Sequence, residues 1–231
     1  MKNALFGAAA SAAALVCAMP AAAQQSETLE VRSGTDFFRA VTVSSFDPIG
    51  QTFTAFTDTI TSVGFQFITL NPGAANSPLS LSIFAGETLV GTPLFNATFA
   101  LPASVNNRDN PVWVDIAVPD LAVTEGNRYS LVLNATSNRA ALVLGPGYRS
   151  GTGQFFGGDA YADGRLISAV TTYANCTGAA NNCDANFRVT GDSFAAAVPE
   201  PTTWALLILG FGVVGSALRG SRKTRAKLTF A

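Results

Sequence analysis

From Gln51 onward the chain alternates apolar and polar residues with a period of two. Val63, Phe65 and Phe67 alternate with Ser62, Gly64 and Gln66, and Leu79, Leu81 and Ile83 with Ser80 and Ser82. Phe95, Ala97, Phe99 and Leu101 alternate with Asn96 and Thr98. Val112, Val114, Ile116 and Val118 share one parity, with Trp113 and Asp115 on the other, and Tyr129, Leu131 and Leu133 continue the series. Successive side chains of a strand point to opposite faces, so such runs predict half-buried antiparallel strands. Turn chemistry separates them at Asn71-Pro72-Gly73, Gly86-Glu87, Asn106–Pro111, Glu125-Gly126-Asn127 and Gly145-Pro146-Gly147. No helical stripe interrupts the pattern. The expected fold is all-β, an antiparallel β-sandwich or jelly roll of about nine or ten strands over 48–194. Residues 24–47 read as a lead-in and 195–198 as a short linker. Val63, Phe65, Leu81, Ile83, Val114, Ile116, Leu131 and Leu133 are the expected core.

The two ends follow other patterns. Lys2 precedes an apolar, Ala-rich run from Ala4 to Met19, then Pro20 and Ala21-Ala22-Ala23 before Gln24. A basic residue, a short apolar region and a small-x-small site predict a secretory signal helix over 1–23, cut between Ala23 and Gln24. A secretion translocase and a signal peptidase are the implied partners. Near the other end, Pro201–Leu218 is 18 residues without a charge. As a helix it would rise roughly 27 Å against a hydrocarbon core of about 30 Å. Trp204 stands at one end of this span and Arg219, Arg222, Lys223 and Arg225 at the other, the order expected of a single transmembrane helix at about 202–218, exported domain outside.

Composition changes the picture once these ends are set aside. The chain has 231 residues, 48% apolar and only 13% charged. Between 24 and 198 stand eight Arg, no Lys and fourteen acids, so the middle is acidic although the whole chain is nearly neutral. That balance argues against nucleic acid, whose affinity comes from neutralised phosphates. There is no histidine. Ser-His-Asp and Cys-His nucleophiles, His-containing zinc sites and His-ligated haem are therefore excluded, while carboxylate chemistry is not.

Pro199-Glu200-Pro201, then Trp204-Ala205, a Gly-interrupted apolar span and a basic cluster resemble the PEP-CTERM sorting signal in its PEPxxWA form. The resemblance covers about 198–225; the tail 226–231 runs on longer than usual. It implies that Pro199, Glu200, Pro201, Trp204 and Ala205 are recognised by an exosortase, an integral-membrane cysteine protease of Gram-negative bacteria. The helix and basic cluster would act as the stop. It also implies an exported precursor anchored in the inner membrane, later in the envelope or outside the cell, in company with exopolysaccharide and biofilm matrix. Pro48–Thr54, Thr124–Tyr129, Gly157–Tyr161 and Asn186–Val189 further resemble jelly-roll modules of bacterial surface proteins, similar to carbohydrate-binding sandwiches.

Chemistry inside the domain is sparse. Cys176 and Cys183 enclose six residues and, in an exported chain, are expected to form a disulfide. Tyr148, Tyr161 and Trp113 are the candidates for a glycan platform; Phe155 and Phe156 suit core packing better. Asp159 and Asp163 flank a turn and are the candidate ligands of a structural calcium, although no D-x-D-x-D-G loop exists and solvated turn acids account for them more simply. No other cofactor is expected. No two acids announce themselves as a hydrolase pair. The expected role is non-enzymatic, structural or glycan-binding. An extracellular polysaccharide-active enzyme and a simple membrane-anchored surface protein are the alternatives.

Overall fold

A computed structural model describes residues 24–32, 39–72, 77–137, 139–145, 159–170, 183–194 and 201–223. Among them lie twelve strands: β1 (Gln24–Val31), β2 (Arg39–Thr42), β3 (Ile49–Thr54), β4 (Thr59–Thr69), β5 (Leu79–Ala85), β6 (Phe95–Phe99), β7 (Val112–Ala122), β8 (Arg128–Ala135), β9 (Ala140–Gly145), β10 (Leu166–Ser168), β11 (Asp184–Ala185) and β12 (Phe187–Phe194). All pairings are antiparallel. One sheet has seven strands, with the path β1-β12-β4-β9-β11, β2 on β9 and β7 on β4. The other has five, in the order β10-β3-β8-β5-β6. Gln24–Phe194 is one compact unit. It has no α-helix among its described residues.

The alternation of the sequence becomes the two faces of these sheets. Val63, Phe65, Leu81, Ile83, Val114, Ile116, Leu131 and Leu133 are all buried in one core, with Phe53, Phe67 and Phe187 fully buried among them. The opposite face of β4 and β9 carries a small second cluster of Ile68, Ala141 and Val143. Both faces of β9 are therefore covered, which is why its sequence, Ala-Ala-Leu-Val-Leu-Gly, is continuously apolar rather than alternating. Gln51 is fully buried and joins the sheets. Its Nε2 donates to Asp184 Oδ1 at 2.8 Å and its Oε1 accepts from Ala185 N at 2.8 Å, so a polar side chain in the core keeps its partners.

The described residues of 24–47 belong to the sandwich rather than to a lead-in. β1 pairs with β12 along its whole length, from Gln24 opposite Phe194 to Val31 opposite Phe187, and β2 pairs with β9. Gln24 Nε2 donates to Asp192 Oδ2 at 2.6 Å, and the hydroxyls of Thr28 and Thr190 meet at 3.0 Å. β1 is an edge strand exposed over most of its length, with only Val31 buried, so it lacks the apolar face that would have marked it.

Helix α1 (Pro201–Lys223) is described by itself. It begins at Pro201, where a missing N–H costs nothing. Its described side chains, Trp204–Ser216 with Leu218 and Arg219, are exposed, and the run Leu206-Leu207-Ile208-Leu209 carries apolar groups around the full turn. Among the described residues no helix is long and apolar enough to cross a membrane. The expected signal helix, 1–23, lies outside the described residues.

Candidate functional site

A groove of about 580 Å³ opens where β1, the end of β3, the β7–β8 turn and the segment before β10 meet. Glu27, Thr28 and Leu29 of β1 line it with Thr54, Ala55 and Phe56, and with Glu125, Gly126, Tyr161 and Asp163. Its size falls within the ~300–1,000 Å³ range of small-molecule sites. The turn at its rim needs Gly126, which has φ 81° and donates its N–H to Ala55 O at 2.8 Å.

Tyr161, one of the three aromatic candidates, is held in the groove wall from three sides. Its hydroxyl accepts from Thr54 N at 3.1 Å. Its ring meets Phe187 edge-on, with centroids 5.6 Å apart. Its backbone N–H donates to both Asp159 Oδ1 and Asp184 Oδ2, each at 3.0 Å. Partial burial raises the phenol above its usual range, so the ring stays neutral.

That shared N–H brings two carboxyl groups together, a pair the sequence did not reveal. Asp184 is 1% exposed. Burial first, and then the neighbouring Asp159, push it up to about 7 against the lowering effect of Gln51. One N–H cannot satisfy two anionic oxygens, so the pair is comfortable when it shares a proton. Neither acid lines the groove, and both oxygens of Asp184 are engaged by protein donors. Together they latch the turn carrying Tyr161 to β11. Asp163 is no part of this pair; it lines the groove. Among the described residues no group of three or more acids or cysteines is placed to hold a metal.

Trp113 does not join Tyr161. It lies on the outer face of the seven-stranded sheet, with the guanidinium of Arg188 4.6 Å from its ring centroid. Arg188 is also paired with both carboxylate oxygens of Asp115 and, at 3.6 Å, with Glu30. The bonds to Asp115 raise its pKa and keep it charged. This lid covers one face of the indole. Gly64 makes room for it, since a Cβ there would meet the Asp115 carboxylate and the Arg188 stem. Arg188→Ala is expected to lower the thermal midpoint by about 2–4 °C, the equivalent of ~1 kcal/mol for partly exposed pairs. Thermal unfolding checks this, and the difference should shrink in high salt.

The remaining sequence candidates divide between described and undescribed residues. Cys183 is buried and disulfide-bonded; Cys176 lies outside the described residues, as do Tyr148, Ala23, Pro199, Glu200 and Arg225. Gln24 opens β1. Pro201, Arg222 and Lys223 lie within α1, as do Trp204, Ala205 and Arg219, whose side chains are described and exposed.

Residues 197–223 match the PEP-CTERM protein-sorting motif. The chain therefore carries this signal, starting three residues after β12 ends at Phe194. The motif implies export, sorting that depends on an exosortase, and an envelope or extracellular destination. The two-sheet unit ahead of it is consistent with a jelly-roll module. No curated protein matches the chain.

Proposed function

We propose that this chain is an exported β-sandwich whose precursor is held in the inner membrane by α1. An exosortase cuts near Pro199-Glu200-Pro201 and frees residues from Gln24 to about 200 into the envelope or matrix. There the domain has a structural role through binding extracellular polysaccharide, without hydrolysing it. The observation that carries this reading is the sorting motif at 197–223, placed directly behind a domain that closes at Phe194.

Several features support it. Gln24 and Phe194 face each other across β1 and β12, so both chain ends leave the domain side by side. The apolar groups around α1 need an apolar surrounding, and Arg219 with the basic residues after it suits the cytoplasmic side. Binding is favoured over hydrolysis because the close acids, Asp159 and Asp184, stand outside the groove. A hydrolase needs both of its carboxyl groups on the scissile bond. Cys183 takes Cys176 as its partner, pinning the loop between them. Thiol labelling of the unreduced exported protein should find nothing; stoichiometric labelling overturns that pairing.

The binding role is tested by pull-down of the purified exported protein with the exopolysaccharide of its own host. Retention on the polysaccharide, lost in Tyr161→Ala, is the expected result. Equal recovery from polysaccharide and from bare matrix rejects a glycan role.

A further inference from the structure

The first residue of β1 is tied down by its side chain as well as by the ladder. Gln24 Nε2 donates to Asp192 Oδ2 at 2.6 Å, a bond from the exposed end of an edge strand to a residue only 8% exposed. Asp192 makes no ion pair among the described residues, and a carboxylate placed so deeply needs hydrogen-bond donors. The backbone sets it there. β12 shifts register against β4 between Thr190 and Gly191, where a Cβ would strike the Thr59 carbonyl oxygen, and the Asp192 carbonyl accepts from Asp58 N at 3.1 Å. Asp58 Oδ2 in turn accepts from Phe194 N at 2.9 Å and fixes the end of the strand.

Register gives the Gln24 bond a direction. Gln24 stands opposite Phe194 and Ser26 opposite Asp192, so Asp192 is the diagonal neighbour of Gln24 on one face of the pair. To reach it the Gln24 side chain runs along β1 toward Ser26, away from its own α-nitrogen. We propose that Asp192 protects the mature N-terminus, keeping Gln24 open where a free N-terminal glutamine closes into a lactam. The proposal rests on the cleavage between Ala23 and Gln24 in the reading above. In ring closure the α-nitrogen attacks Cδ of its own side chain. The Nα–Cδ bond forms, the Cδ–Nε2 bond breaks, and Nε2 leaves as ammonia with a proton taken from the amine. The nitrogen that must leave is the one Asp192 holds, and the carbon under attack is turned away from the amine. The first residue must therefore let go of β12 before it can react. An open Gln24 in turn keeps the bond that pins the end of this edge strand.

The test is mass spectrometry of the exported chain, followed over time at a pH of about 8, where a free α-amine is roughly half unprotonated. A peptide with the sequence of Gln24–Val31 is the unfolded reference. The exported wild type should arrive with its glutamine intact and lose ammonia at least about tenfold more slowly than the peptide, because a hydrogen bond to a charged acceptor must break first. That comparison needs no variant. Asp192→Ala should close within about threefold of the peptide's rate, whereas Asp192→Asn, whose amide oxygen still accepts from Nε2, should stay nearer the wild type. Thr190→Val removes the hydroxyl contact between Thr28 and Thr190 and leaves Asp192 in place. It should close as slowly as the wild type, which separates the hold of Asp192 from general fraying of β1. A wild type that closes as fast as the peptide overturns the proposal. So does an Asp192→Ala protein as slow as the wild type, or a Thr190→Val protein as fast as Asp192→Ala. A chain that arrives beginning at Gln24 but already short of one ammonia leaves the cleavage reading standing and refutes the protection. A chain that begins elsewhere refutes both.

Discussion

The folded domain should lose about 2–4 kcal/mol of stability as the pH rises from about 4 to about 7, and then level off. The cause is the carboxyl pair at the Tyr161 N–H. Burial pushes Asp184 up to about 7, while an unfolded aspartate releases its proton near ~4. Between those values the folded state holds a proton that the unfolded chain has lost. The folded state binds more protons, so the unfolding free energy falls as pH rises. Below the unfolded value both states are protonated and this contribution is fully present. Asp184→Asn supplies the neutral form permanently. Its amide oxygen can accept from Gln51 Nε2 and its NH2 can donate to Asp159, while the Tyr161 N–H loses Oδ2 of residue 184 and keeps Asp159 Oδ1 as its acceptor. Urea unfolding from acid to mildly alkaline pH checks both proteins. The variant should lack this part of the slope and exceed the wild type by about 1–3 kcal/mol at alkaline pH. A wild-type profile that rises steadily over the same window refutes the shared proton.

Phe187→Ala should cost about 3–5 kcal/mol. Phe187 opens β12 opposite Phe65 on one side and Val31 on the other, and it is fully buried. Its ring also backs Tyr161 at 5.6 Å. Truncation leaves a cavity in the shared core and removes the support behind the groove wall, so stability and glycan retention should fall together. The thermal midpoint should drop by roughly 10 °C or more for a domain of this size. Phe187→Leu, which keeps most of the volume, should cost about half as much. Phe194→Ala, at the exposed end of the same strand, should stay within about 0.5 kcal/mol. Equal losses at 187 and 194 would show that β12 does not sit in the sheet as described.

The residues that alternate were legible because each long strand buries one face. Val63, Phe65 and Phe67 on β4 and Leu131 and Leu133 on β8 carried the pattern plainly. The strands that escaped notice lack it for physical reasons. β1 is an exposed edge whose stability comes from backbone pairing with β12, which polar side chains permit as well as apolar ones. β2, β10 and β11 have four, three and two residues, too few to alternate. Gly126 announced its turn, and Tyr161 was visible as an aromatic residue beside a loop. The company Tyr161 keeps was not visible. Asp159 and Asp184 are far apart in sequence and meet only because β11 docks on β9 beneath the Tyr161 turn. Gln51 occupies a polar position by pattern and yet lies in the core, because its partners come from β11. Trp113 looked like a free platform; the arginine that covers it belongs to a strand 75 positions later.

Release of the domain from its anchor is the central step of the proposed function. Intact-mass analysis of the protein from a host that carries the exosortase tests this most directly, with wild type compared to Glu200→Ala. The wild-type mass should correspond to a chain that begins at Gln24 and ends near residue 200, without Arg219–Ala231, and the Glu200→Ala protein should remain cell-associated with its tail intact. A wild-type protein that keeps Arg219–Ala231, with no change on substitution, would contradict the account and make the segment an anchor alone.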